Sequence, residues 1–225
     1  MAFKQSGPGA LERIDEFDGD GHAGIGWLAH PEETMRRASH ALAVDGEVWV
    51  VDPVDVPDLD ALLAEFGDVA GVVCLLDRHE RDSAQVAGRH DVPVYAPPFV
   101  DRSFEGVQVE RFAGELADTG LHLVQAVDLP GWREGALYAP DETLVVADAL
   151  GTADYFTVGA ERLGVHPMLR PLPPSNLAGL GPERVLVGHG TGVMADGEEA
   201  LRVALGGARK NLPRAWWNAL RETVG

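Results

Sequence analysis

Residues 69–76 read VAGVVCLL, eight apolar or glycine positions in a row. A strand with one face in water alternates apolar and polar residues, so an unbroken run marks a strand covered on both faces. Such a strand needs a layer on each side of its sheet, and the flanking pattern supplies candidates. Residues 48–51 form another apolar β-run. From Asp58, a fair N-cap, Leu59, Leu62, Leu63 and Phe66 fall at helical intervals. A helix is expected from about 78 to 89, and residues 92–96 read as a strand again. This β-α-β-α-β order predicts a parallel sheet segment with helical crossovers. Residues 41–44 join 48–51 through Asp45-Gly46, a strong hairpin signal.

The second half is richer in β-structure. Strands are expected at 107–112, 121–127, 136–139 and 144–147, the last two joined by a tight turn at Pro140-Asp141-Glu142. A mixed stretch at 152–163 reads as helix. A strand at 184–187, a loop at 189–192 and helices around 198–205 and 215–223 complete the order. Residues 10–30 read as short strands and turns. Gly19-Asp20-Gly21-His22-Ala23-Gly24 fits G-x-G-x-x-G, but no apolar strand precedes it and Pro31 follows soon after, so it is read as turns. With no repeat or linker, the 225 residues are expected to form one domain, 1–225.

Charge narrows the function classes. Acidic residues number 36 against 18 basic ones, a net charge of -18, and only Lys4 and Lys210 are lysine. Such a surface repels phosphate backbones and anionic lipid, so neither nucleic acid nor a membrane is expected as partner. A small-molecule ligand or substrate and a homo-oligomer stay open. The acidic, lysine-poor composition resembles that of halophile proteins, whose self-repulsion is screened by concentrated salt. No apolar run approaches a membrane span and the N-terminal residues lack an apolar signal region, so a cytoplasmic location is expected. The single cysteine, Cys74, lies inside the buried run. It excludes an internal disulfide and a Cys-built zinc site. Trp216 and Trp217 on the last helix are expected to place one ring on the core and the other at a rim or partner surface.

Four polar spots follow apolar strands: Asp52, the run Asp77-Arg78-His79-Glu80-Arg81-Asp82, Asp148 and His189. Ligand sites in α/β sheets form at strand C-termini, where loops converge. The segments VWVVDP, VVCLLDRHERDSAQVAGRHDVPVYAP, LPGWREGALYAPDETLVVADAL and VLVGHGTG, in this order across roughly residues 40–205, resemble the metallo-β-lactamase superfamily. The resemblance implies an αββα sandwich, two mixed β-sheets flanked by helices, and a hydrolase holding one or two metal ions.

Carried over by motif, the family's H-x-H-x-D-H ligands fall on Arg78, Glu80, Asp82 and Ser83, its next histidine on Trp132, its bridging aspartate on Asp148 and its last histidine on His189. Four histidines are therefore replaced, and Arg78 and Trp132 cannot ligate a metal. His79 stands one place out of register and is not expected to take over. Asp82, Asp148 and His189, with Glu80 as a possible addition, remain as a single-ion set. The competing reading makes Asp77 and Glu80 a capping box, with Arg78–Asp82 and Asp77–Arg81 ion pairs along the helix. If Asp82 and Asp148 converge, the Arg78 guanidinium, with Arg133 beside it, is expected to replace the metal's charge. The functional expectation is a fold member that has lost dinuclear hydrolysis and serves a binding or structural role without cofactor. Its alternative is a divergent hydrolase using one zinc ion at Asp82, Asp148 and His189.

Overall fold

The structure, a computed structural model, describes residues 2–7, 9–19, 21–79 and 81–224, with side chains described through residue 221. Its largest sheet has seven strands in chain order: β1 (Glu12–Asp18), β2 (His22–Leu28), β3 (Ala38–Val44), β4 (Glu47–Val51), β5 (Asp68–Val73), β6 (Val94–Ala96) and β7 (Val109–Arg111). The first four run antiparallel and β4 to β7 parallel. The hairpin expected at Asp45-Gly46 is present, with both residues at positive φ, 52° and 85°. Helices α1 (Leu59–Ala64) and α2 (Ser83–His90) cross between the parallel strands.

The second sheet contains β8 (His122–Leu129), β9 (Trp132–Tyr138), β10 (Thr143–Val146) and a later strand. That strand, β13 (Arg184–Val187), pairs parallel with β10, in the order β13-β10-β9-β8. Between them in sequence, β11 (Leu150–Gly151) and β12 (Gly164–Val165) make a small ladder of their own. Two helices follow, α3 (Gly197–Gly207) and α4 (Leu212–Val224).

The layers follow from which side chains alternate to which face. Trp49, Val51, Val73 and Leu75 point into a core shared with Trp132, Ala136, Leu144 and Val146 of the second sheet. Their neighbours Val48, Val50, Val72 and Cys74 point the other way, onto Leu59, Leu62, Leu63 and Val86 of α1 and α2. On the far side of the second sheet, α3 adds Ala200, Leu201 and Ala204. The result is the αββα sandwich, and the apolar run at 69–76 is its doubly covered strand. Among the described residues, no helix is long and apolar enough to cross a membrane.

Three expectations are corrected. The helix expected from 78 begins only at Ser83, because Arg81 adopts positive φ (42°) and Asp82 donates its backbone N–H to Pro53. Its guanidinium instead reaches the carbonyls of Ala38, Asp52 and Gly188. Asp77 therefore starts no helix; Glu80, the other half of the expected capping box, lies outside the described residues. The helix expected at 152–163 is a loop. Buried Arg170 takes the carbonyls of Phe156 and Val165 and pairs with Glu161, fixing an irregular path between β11 and β12. Finally, Trp216 and Trp217 are both exposed, so neither ring enters the core.

Candidate functional site

Four strand ends converge where the two sheets meet. Asp52 follows β4, His79 follows β5, Asp148 follows β10 and His189 follows β13. His79 Nε2 lies 3.0 Å and His189 Nε2 2.8 Å from the same oxygen, Oδ1 of Asp148. The other ring nitrogens face acceptors. His79 Nδ1 is 3.3 Å from Asp52 Oδ2, and His189 Nδ1 donates to the Met35 carbonyl at 2.8 Å. Among the described residues, His79, Asp148 and His189 are the one group of three potential metal ligands, with donor atoms all within 4.8 Å of one another.

The protonation pattern follows from these contacts. A carbonyl only accepts, so Nδ1 of His189 carries a proton and its Nε2, in the neutral ring, is a lone pair aimed at a carboxylate oxygen. Two lone pairs at 2.8 Å need a positive charge between them, and a shared proton fits that separation; a metal ion bound by both atoms would hold them further apart. Burial pushes His189 down. Burial also acts against the charged form of His79, but Asp148 and Asp52 outweigh it and raise His79 to about 9. Burial likewise opposes ionisation of Asp148, yet His79 and His189 hold its carboxyl well below the usual range.

A second set of contacts fixes Asp148. Fully buried Glu134 on β9 accepts the backbone N–H groups of Ala147, Asp148 and Ala149 at 3.1, 2.9 and 2.8 Å on Oε1. Its Oε2 accepts the indole N–H of Trp132 at 3.0 Å. Burial and the Asp148 charge raise Glu134 to about 7. Half-buried Arg81, tied to the carbonyls of Ala38, Asp52 and Gly188, holds the Asp52 and Gly188 loops together. Aromatic rings wall the site: Phe156 stacks on His189 at 5.2 Å, and His166, pushed down to about 4 by burial, packs edge-on to Trp132 and Phe156.

By sequence, no protein-family model and no curated protein matches the chain. Solved structures do resemble it. The DIM-1 metallo-β-lactamase aligns at TM-score 0.59 and 13% identity, over 92% of this chain and 98% of its own. FIM-1 from Pseudomonas aeruginosa, in its mono-zinc form, aligns at 0.60 and 11%, over 91% and 97%. The flavo di-iron protein H90N mutant from Thermotoga maritima aligns at 0.62 and 15%, over 89% of this chain and 63% of that one. The chain has the metallo-β-lactamase fold. At such identities the likeness carries the fold, and function has to be argued from the site.

Within this metallo-β-lactamase fold, the structure brings Asp148 and His189 together and leaves Asp82 apart. Asp82 Oδ2 accepts the backbone N–H of Asp55 at 2.8 Å, and the residue borders a cleft of about 630 Å³ lined by Asp55, Asp58, Asp60 and Arg89. The third donor beside Asp148 is His79, the residue read as out of register. Ser83 is buried without a hydrogen-bond partner for its hydroxyl. Trp132 forms wall rather than ligand. Arg78 stacks over its ring at 3.9 Å and approaches Asp148 Oδ2 at 3.4 Å, a long contact, with the guanidinium partly exposed. Arg133 turns instead to Asp77, 3.8 Å away. Neither Glu134 nor the His166–Phe156 wall is marked by a motif, and Arg81 reaches carbonyls across the site rather than pairing with Asp77 along a helix. Glu134 carried a signal, an acid on the inward face of an apolar strand between Trp132 and Ala136.

Proposed function

We propose that this chain is a divergent hydrolase-like protein whose site holds a single divalent cation, zinc by donor type, on His79, Asp148 and His189. The observation that carries the reading is the arrangement of the two imidazoles. Each turns Nδ1 to an acceptor, Asp52 for His79 and the Met35 carbonyl for His189, and turns Nε2 toward one point at Asp148. Metal-bound histidines have this outer partner, which sets the tautomer and strengthens the ligand. Two imidazoles and a carboxylate suit zinc, and three protein donors with an open position is the pattern of catalytic rather than closed structural sites. Bound there, such an ion would supply Lewis acidity and an activated water.

The chain's own residues supply the rest. Glu134 fixes the turn that aims Asp148, Arg81 fixes the loops that aim Asp52 and His189, and the rings of Trp132, His166 and Phe156 restrict water. Arg78 stands at the exposed rim and offers a positive edge to an anionic part of a substrate. One observation favours a second reading, a binding or structural role without metal. With a proton on His79, raised to about 9 between Asp52 and Asp148, the cluster balances much of its own charge.

Elemental analysis separates the two. The full chain, stripped with chelator and re-equilibrated with zinc, is expected to retain about one ion, lost in Asp148→Ala and in His189→Ala. Wild-type protein retaining essentially none would remove the metal reading and leave the binding role. One retained ion without turnover of nitrophenyl esters would leave a metal-binding protein that is not an esterase.

A further inference from the structure

The outer face of α4 is apolar where a solvent-facing helix should be polar. Ala215 is buried against the body, and on the opposite side Trp216, Trp217 and Leu220 are 56%, 64% and 58% exposed. These positions, spaced i, i+1 and i+4, form one face of the helix. The face continues onto the preceding loop, because the Trp216 indole N–H donates to the Pro167 carbonyl and Arg209 Nε to that of Pro171. Met168 and Leu172, each beside one of those prolines, are 68% and 62% exposed. A cleft of about 390 Å³ opens in the same region, between Val158, Pro213, Arg214 and Trp217.

Charge sets this face apart from the rest of the molecule. Residues 200–221 contain five basic residues and no acid, so all 36 acidic residues lie outside that stretch. Lys210 and Arg214 make no ion pair with any described residue. Large exposed apolar patches mark interaction sites, and interface cores are rich in Trp, Met and Arg and poor in Asp and Glu.

We propose that this face binds a second copy of the chain about a two-fold axis, with α4 at its centre. Two chains of net charge -18 repel almost everywhere, and this is where they meet at least cost. The face is also self-complementary, as a two-fold contact requires. It carries Arg214, which makes no ion pair with a described residue, beside exposed tryptophan, so Arg214 of each copy can lie over an indole of the other, the contact that Arg78 already makes on Trp132. It carries both a projecting indole and a cleft beside it. An anionic bilayer would attract the helix while repelling the surrounding acidic surface, which favours the second copy as occupant.

Sedimentation velocity of the full chain tests this. At tens of micromolar, the expected mass is twice 24.0 kDa, with association strengthening as KCl rises. Trp217→Glu with Leu220→Glu is expected to return the mass to one chain with unchanged circular dichroism, while Ser103→Glu, an exposed change in the β6–β7 connection, leaves the dimer intact. A monomer at every salt and concentration overturns the proposal. So does a dimer indifferent to the double variant, which puts the interface elsewhere, and so does a monomer that co-sediments with phosphatidylglycerol vesicles through Trp217.

Discussion

At the scale of single residues, the site rests on a carboxylate that the proposed chemistry never touches. Glu134 satisfies three consecutive backbone N–H groups and an indole N–H, three of these four contacts fully buried and that to Asp148 partly so. Truncation to alanine leaves four donors without an acceptor, and an orphaned buried donor costs about 1–3 kcal/mol before relaxation. Glu134→Ala is therefore expected to lose about 3–5 kcal/mol of stability in urea unfolding of the metal-free protein. Glu134→Gln keeps the volume but turns an amide NH₂ toward a donor, and is expected to lose roughly half as much. A cost below 1 kcal/mol for the alanine variant would show that water or backbone movement replaces the clamp. The same scale explains what the sequence reading could see of the site. Asp148 and His189 were legible because each directly follows an apolar strand, and strand ends are placed by the sheet. His79 was not, because its direction is set by a turn closed on the Leu76 carbonyl and by contacts to Asp52 and Asp148, which are distant in sequence. The resemblance's motif, laid on the chain, put Asp82 in the site, whereas its carboxylate accepts the Asp55 N–H beside the start of α2.

At the scale of elements, β10 and β13 deliver the two halves of the site by running parallel, so that Asp148 and His189 leave the same edge. Their loops approach closely at Gly188, where a Cβ would stand 2.3 Å from the Ala147 carbonyl oxygen. Gly188→Ala must push the two loops apart, and is expected to cost about 2–3 kcal/mol and to weaken zinc retention together with it. Gly206, in the last turn of α3, meets nothing within 4 Å. Gly206→Ala is expected to stabilise by about 0.5–1 kcal/mol, through helix propensity and a less free unfolded chain. Opposite signs in one chemical-denaturation series check both, and a neutral Gly188→Ala would mean that the loop contact is soft. The elements were largely legible because period and burial agree: the hairpin at Asp45-Gly46, the parallel run from β4 to β6 and the β9–β10 turn all follow local pattern. The 152–163 stretch was not, because its helix-compatible composition is overridden by Arg170, which lies beyond it in sequence, takes the Phe156 carbonyl and pairs with Glu161.

At the scale of the whole molecule, the excess of acid is built into the surface as well as counted in the composition. Around the cleft beside α1, the carboxylates of Asp55, Asp58, Asp60 and Asp82 gather with Arg89 as the arginine among them, and Arg89 is already divided between Asp55 and Asp60 at 2.8 and 2.9 Å. Folding therefore brings like charges together that the unfolded chain keeps apart, a cost that ions reduce. The thermal midpoint is expected to rise by roughly 5 °C or more between 0.1 and 2 M KCl. Screening has a signature that general salting-out lacks. The Debye length shrinks from about 10 Å to about 3 Å by 1 M, so most of the rise should come below that concentration. Stabilisation by ion exclusion and strengthened burial keeps growing with salt instead. Association would also raise the midpoint with salt, since anything that binds only the folded state stabilises it. Running the series on the Trp217→Glu, Leu220→Glu chain removes that contribution. A midpoint that stays flat to 2 M in this variant would mean that self-repulsion is too weak to matter, and the halophilic reading of the composition would fall with it.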